Sequence, residues 1–354
     1  MAQRQGVTLA REFCLVYALL IAYATLHPFT GWHGTGLSPF AWLESWPARV
    51  LPFDLWLNVA AYVPLGLLIV WATFPWLRIA GAGLLAVAAG LALSCTLESL
   101  QSYLPSRTPS LADLAANGAG ALLGALLGAV MIVWFGGGRL IAIGRRWFDA
   151  APGSTRALIL AALWLSGLLF PESILFGHGS VLAYVGPVSG YPFTPAEFVR
   201  VETAVTAASL FAAGSLAMCA LRPSAPRLVL MVVFCVGACA VRALSQAILF
   251  PPEHAWAWLT PGALRGLGAG VVGLMLTVAL PRPMRLALIA ITVTFATVVV
   301  NLAPPNPYYL STVQVLNPGR FLNFNGLTQL VSAAWPFLVV LYIPFALVGG
   351  QREA

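Results

Sequence analysis

Apolar residues run through this chain in stretches of about twenty, the length an α-helix needs to cross a bilayer core. Short groups of Pro, Gly and Arg separate the stretches, as turns should. The pattern predicts spans near 9–28, 54–74, 78–103, 111–135, 155–177, 197–220, 227–250, 261–280, 284–303 and 326–348. The expected fold is all-α: a polytopic transmembrane helix bundle of about ten spans.

Composition agrees with the pattern. The chain is 60% apolar and 8% charged over 354 residues, whereas a soluble domain carries about 25% charged residues. So little charge cannot cover a globular surface. All 18 basic residues are Arg, and the net charge is +7. In a membrane protein the placement of that charge matters more than its sum, so the basic balance points to no nucleic acid. With the N-terminus in the cytoplasm, twelve arginines fall on the cytoplasmic side. Arg49, Arg107 and Arg320 fall outside, and Arg200, Arg242 and Arg265 fall within or at the ends of spans. That bias predicts an even number of spans, both termini cytoplasmic and residence in the cytoplasmic membrane. The first span follows Arg4 and Arg11, and Ala22-Tyr23-Ala24 imitates a cleavage site. Its long apolar run favours an uncleaved anchor over a signal peptide. Cys14, Cys95, Cys219, Cys235 and Cys239 all lie in apolar runs without His or acidic companions, and read as small packing residues.

A faint duplication runs through the chain. Residues 57–68 (LNVAAYVPLGLL) parallel 205–216 (VTAASLFAAGSL), which sets Gly66 on Gly214 at an offset of 148. Residues 118–124 parallel 266–272 at the same offset, and Leu100-Gln101 parallels Ser245-Gln246 at 145. The expected organisation is a four-helix unit over 1–135, a cytoplasmic Arg-rich linker over 136–154, a diverged parallel repeat over 155–280, and two further helices over 281–354. The halves differ in chemistry. The polar residues of the second are Arg200, Glu202, Arg242, Gln246 and Arg265, so specific binding or chemistry is expected in the first.

There, three consecutive helices each carry a polar pair on one face. The pairs are Asp54 with Asn58, Glu98 with Gln101, and Asp113 with Asn117. The predicted topology gathers all three toward the outer leaflet, beside Arg107, Ser110, His27 and His33. Carboxylates cost about 2.5–3.5 kcal/mol each on insertion scales, so they face the bundle interior and find partners. Arg107 is the nearest basic candidate for Glu98 or Asp113. Asp54 also has the place of a helix cap, and Ser110 with Asp113 has the spacing of a capping box. Glu98, Gln101 and Asn117 lie inside spans, where the sequence assigns them no capping role.

These stretches resemble the VanZ-like family. They are Asp54–Gly66 (DLWLNVAAYVPLG), Glu98–Arg107 (ESLQSYLPSR) and Ser110–Gly120 (SLADLAANGAG). The family pattern of Asn with Pro-x-Gly, Glu-x-x-Gln, Arg before Ser-x-x-Asp, and Asn-x-x-Gly falls on Asn58, Pro64, Gly66, Glu98, Gln101, Arg107, Ser110, Asp113, Asn117 and Gly120. The resemblance covers about residues 15–135. It implies a bacterial cell-envelope role at the outer face of the membrane, in a family whose namesake is associated with teicoplanin resistance. It supplies no reaction, and the six further helices depart from a four-helix unit.

The residues leave three functions open. Asp54, Asn58, Glu98, Gln101, Arg107, Ser110, Asp113 and Asn117 are the candidate ligand-binding set for a phospholipid or a lipid-linked glycan head group. Arginine offers a donor fork for phosphate, and amides suit sugar hydroxyls. Alternatively, Glu98 and Asp113 would carry acid–base catalysis on an envelope lipid. Transport is the third reading. No cofactor is implied, and no His or Cys spacing suggests a resident metal.

Overall fold

The computed structural model describes residues 2–34, 36, 38–44, 46–47, 52–149, 151–172, 174–182, 194–250, 254, 256–303 and 322–351. Among these the regular structure is helical, with one isolated bridge between Phe148 and Leu221. Helix α1 covers Ala2–Leu26. The run Pro52–Gln101 holds two helices, α2 (52–77) and α3 (79–101). They part at Arg78, whose φ of 53° and ψ of 173° leave the helix. Then follow α4 (Leu111–Trp147), α5 (Pro152–Gly167), α6 (Pro195–Cys219), α7 (Arg227–Leu249), α8 (Pro261–Thr277), α9 (Arg282–Leu302) and α10 (Leu322–Gln351).

Seven described helices are long and apolar enough to cross a membrane: α2, α3, α4, α6, α7, α9 and α10. Their outer faces are greasy. On α7, Leu228, Val229, Val232, Val233 and Val236 are all exposed, a pattern suited to lipid and not to water. With seven strongly apolar helices, this is a membrane protein. Length and composition thus support seven of the ten expected spans. Helices α5 and α8 have 16 and 17 residues. At 1.5 Å per residue they reach about 24–26 Å, short of the ~30 Å hydrocarbon core. Helix α1 has 25 residues but carries Arg4, Arg11 and Glu12.

The expected linker over 136–154 is largely helix, because α4 continues to Trp147. Most of the stretches 178–196 and 304–325 between predicted spans lies outside the described residues, as do Arg49, Arg320 and Arg352.

The chain forms two compact units, Met1–Arg145 and Arg146–Ala354. In the first, α1 to α4 pack around Tyr62, Leu65, Val70, Ala86 and Leu97. Helices α2 and α4 nearly touch. A Cβ on Gly120 would strike the Val59 carbonyl, and one on Gly124 the Val63 carbonyl. Only glycine permits that approach, the small-residue packing usual between membrane helices. In the second unit, Trp164, Phe176, Leu216, Leu286 and Trp335 form the core. The Trp335 indole donates to the Leu160 carbonyl (2.7 Å), and the Tyr342 hydroxyl donates to the Gly153 carbonyl (2.9 Å).

Candidate functional site

The polar end of the first unit begins with a helix start. Ser110 precedes α4, and its hydroxyl accepts the Ala112 N–H (3.1 Å). That is the N-cap the sequence predicts. The capping box is completed differently. The Ser110 backbone N–H donates to Glu98 on α3 (2.9 Å), and Asp113, in the expected position, accepts from the Asn58 amide of α2 (2.7 Å). Glu98 therefore does cap a helix, contrary to the expectation, but a helix other than its own. A carboxylate at a helix start also meets the positive end of the helix dipole.

One turn deeper lies Asn117. Its amide donates to the Ser94 hydroxyl on α3 (2.9 Å), and the Tyr62 hydroxyl of α2 lies close to Ser94. Asn117 and Ser94 are both buried, and the Asn117 Oδ1 has no hydrogen-bond partner among the described residues. The sequence reading missed Ser94 and Tyr62. The available signal was spacing, since Ser94 is four residues before Glu98 and shares its face.

The rim is made by the chain leaving α1. Gln101 donates to the Thr25 carbonyl (2.9 Å). Arg107 reaches the His27 carbonyl through Nε (3.1 Å) and also through a terminal nitrogen. The guanidinium expected to pair with Glu98 or Asp113 is thus directed to a backbone oxygen. Burial holds the Arg107 guanidinium below its ordinary pKa. Partial burial, and then the Arg107 charge, lower the His27 imidazole. His33 is exposed, and its backbone N–H donates to the Tyr103 carbonyl (3.0 Å).

The structure therefore brings together Asn58, Glu98, Ser110, Asp113 and Asn117, with Gln101 and Arg107 at the rim. Asp54 is exposed, yet lies within electrostatic reach of Asp113, as Asp113 does of Glu98. Asp113 thus feels both Asp54 and Glu98, and these carboxylates make this end of the unit rich in hydrogen-bond acceptors. No group of three or more His, Cys, Asp or Glu side chains has metal-holding geometry among the described residues.

An open apolar groove of about 420 Å³ runs along the middle of the unit, from Arg11 to Ala22 of α1. Cys14, Ala18 and Ala22 of α1 line it, with Ile69 and Ala72 of α2 and Leu93 of α3. Ala22 sits three residues before Thr25, so the groove ends about one turn from the Gln101 contact.

No curated protein and no solved structure matches the chain. Residues 13–133 match the family model described as VanZ/LLP1. That stretch holds every polar side chain placed above, so the polar end lies in the part of the chain that is similar to the VanZ/LLP1 family.

Proposed function

We propose that the protein works in the bacterial cytoplasmic membrane with both termini inside, and that the polar end of its first unit receives a lipid-linked head group at the outer leaflet. The observation that carries this reading is the buried Asn117 Oδ1, one helical turn along α4 from Asp113 and an acceptor without a donor among the described residues. A buried unpaired acceptor costs about 1–3 kcal/mol, and a hydroxyl from a ligand would remove that cost. Three carboxylates repel a bare phosphate but accept bonds from sugar hydroxyls. A glycan head group therefore fits better than a phosphate alone, with Arg107 near the rim for a linking phosphate. The groove along α1 suits the lipid chain.

The test uses the full chain in nanodiscs with a polyprenyl-linked disaccharide, retention being read by native mass spectrometry. Glu98→Gln keeps an acceptor for the Ser110 N–H, and Asp113→Asn keeps one for Asn58, so both preserve the fold and remove charge. Each should weaken retention about tenfold, roughly 1.4 kcal/mol. Wild-type retention in both variants would sink the reading.

The closeness of Glu98 to Asp113 favours a second reading, acid–base chemistry on the same lipid. Turnover of the probe by wild type but not by Glu98→Gln would select it.

A further inference from the structure

The family match stops at residue 133, but the plan of the first unit does not stop there. We infer that residues 152–278 form a second VanZ-like unit, built as the first is, whose polar end has been closed by helix packing. The chain then holds one head-group site and not two, a count that rests on the proposed function.

Backbone geometry repeats first. Beyond α1, Phe29 and Gly31 take positive φ (61° and 76°); beyond α5, Phe176 and Gly179 do the same (61° and 93°). The offsets are 147 and 148. A phenylalanine pays a steric cost for positive φ, so its recurrence at this offset is hard to obtain by composition alone.

Tethering repeats next. In the first unit Gln101 of α3 holds the last turn of α1 by the Thr25 carbonyl. In the second, α7 holds the chain just past α5. Arg242 donates to the carbonyls of Phe170 (2.7 Å) and Glu172 (2.9 Å), and Ser245 to that of Leu169 (2.7 Å).

The helix pairs repeat as well. Gly120 and Gly124 of α4 meet Val59 and Val63 of α2, while Gly270 and Gly273 of α8 meet Ala207 and Phe211 of α6. The offsets are 148 along α2 and 149–150 along α4. Both fourth helices also start under a hydroxyl cap and a carboxylate from another helix. Ser110 and Glu98 serve α4. Thr260 caps α8 through the Ala263 N–H (3.1 Å), and its own hydroxyl donates to Glu202 (2.6 Å).

The difference falls at the polar end. At the offset of 150 that pairs Gly120 with Gly270, Asp113 and Asn117 become Ala263 and Leu267, and Gly262 and Gly266 stand where the first unit has Ala112 and Ala116. A Cβ on Gly262 would strike Glu202 and the Val199 carbonyl, and one on Gly266 would strike Thr206 and the Thr203 carbonyl. Where the first unit places Asn58, Asp113 and Asn117, the second brings α6 directly against α8. Glu202 is buried and committed to the α8 start.

Two measurements on the full chain test this. Thermal melting in detergent compares two positions near the starts of α4 and α8 that differ in room. Asn117→Leu should stay folded, whereas Gly266→Leu should lose the folded state or melt far lower, with Gly266→Ala between. A Gly266→Leu variant as stable as wild type overturns the closure. Native mass spectrometry then counts the polyprenyl-linked disaccharide. We expect one per wild-type chain, retained about tenfold more weakly with Glu98→Gln and unchanged with Glu202→Gln. Two per chain, or loss through Glu202→Gln, overturns the single-site assignment. A wild type that retains none defeats the proposed function instead, and the melting comparison still decides the closure.

Discussion

Glu98 spends its charge on a backbone N–H twelve residues away, and its own helix gains nothing from that bond. The sequence marks Glu98, Gln101 and Asn117 as interior residues, because helical spacing fixes which face a side chain occupies. It does not name partners, since those depend on how helices cross. Ser94, Tyr62 and the Thr25 and His27 carbonyls had no signature as a set: two are lone hydroxyls in apolar runs, and two are main chain. In the second unit His178 is of the same kind. It is buried between Trp164 and Trp335, against the carbonyls of Phe176 and Trp164 (both 3.2 Å). Burial pushes its pKa down to about 4. The unfolded chain would therefore take up a proton near pH 6.5 that the folded chain refuses. Full stability is present above that value and declines as pH falls toward 4. By pH 5 the loss is about 2 kcal/mol at 1.36 kcal/mol per unit. Melting of wild type against His178→Gln from pH 7 to 5 checks this; the variant should lose distinctly less.

At the scale of elements, apolar run length located every described helix, and it failed at the ends. Residues 136–147 look like a linker because of Gly136, Gly137, Gly138 and three arginines, yet α4 runs through them. Glycine costs a helix only about 1 kcal/mol relative to Ala, too little to stop one with apolar residues beyond. Conversely α5 ends at Gly167, ten residues before the predicted end, where Arg242 and Ser245 take up the carbonyls that follow. The pairing of α2 with α4 rests on Gly120 and Gly124. Gly124→Leu would force Val63 and its helix away, an overpacking cost of about 1–3 kcal/mol or more. The expected readout is a lowered melting temperature in detergent, with Gly83→Leu, whose Cβ would meet nothing within 4 Å, close to wild type.

For the whole molecule, the arginine distribution makes a prediction that no packing detail provides. Both termini should lie on one side of the membrane, with Arg145 and Arg146 on that side too. Impermeant labelling of single cysteines placed at residues 2, 150 and 353, in intact cells, should leave all three unlabelled, while one at residue 34 is labelled. Labelling of residue 353 but not of residue 2 would require an odd number of crossings. Finally, Glu98 bears on how the molecule is made. When α3 leaves the ribosome, the segment bearing Ser110 is still inside the exit tunnel, so Glu98 has no N–H to receive it. A lone α3 would enter lipid with a bare acid near its end. Synthesis is thus expected to hold α3 at the translocon until α4 emerges and to release the two as a hairpin, already bonded at the tip.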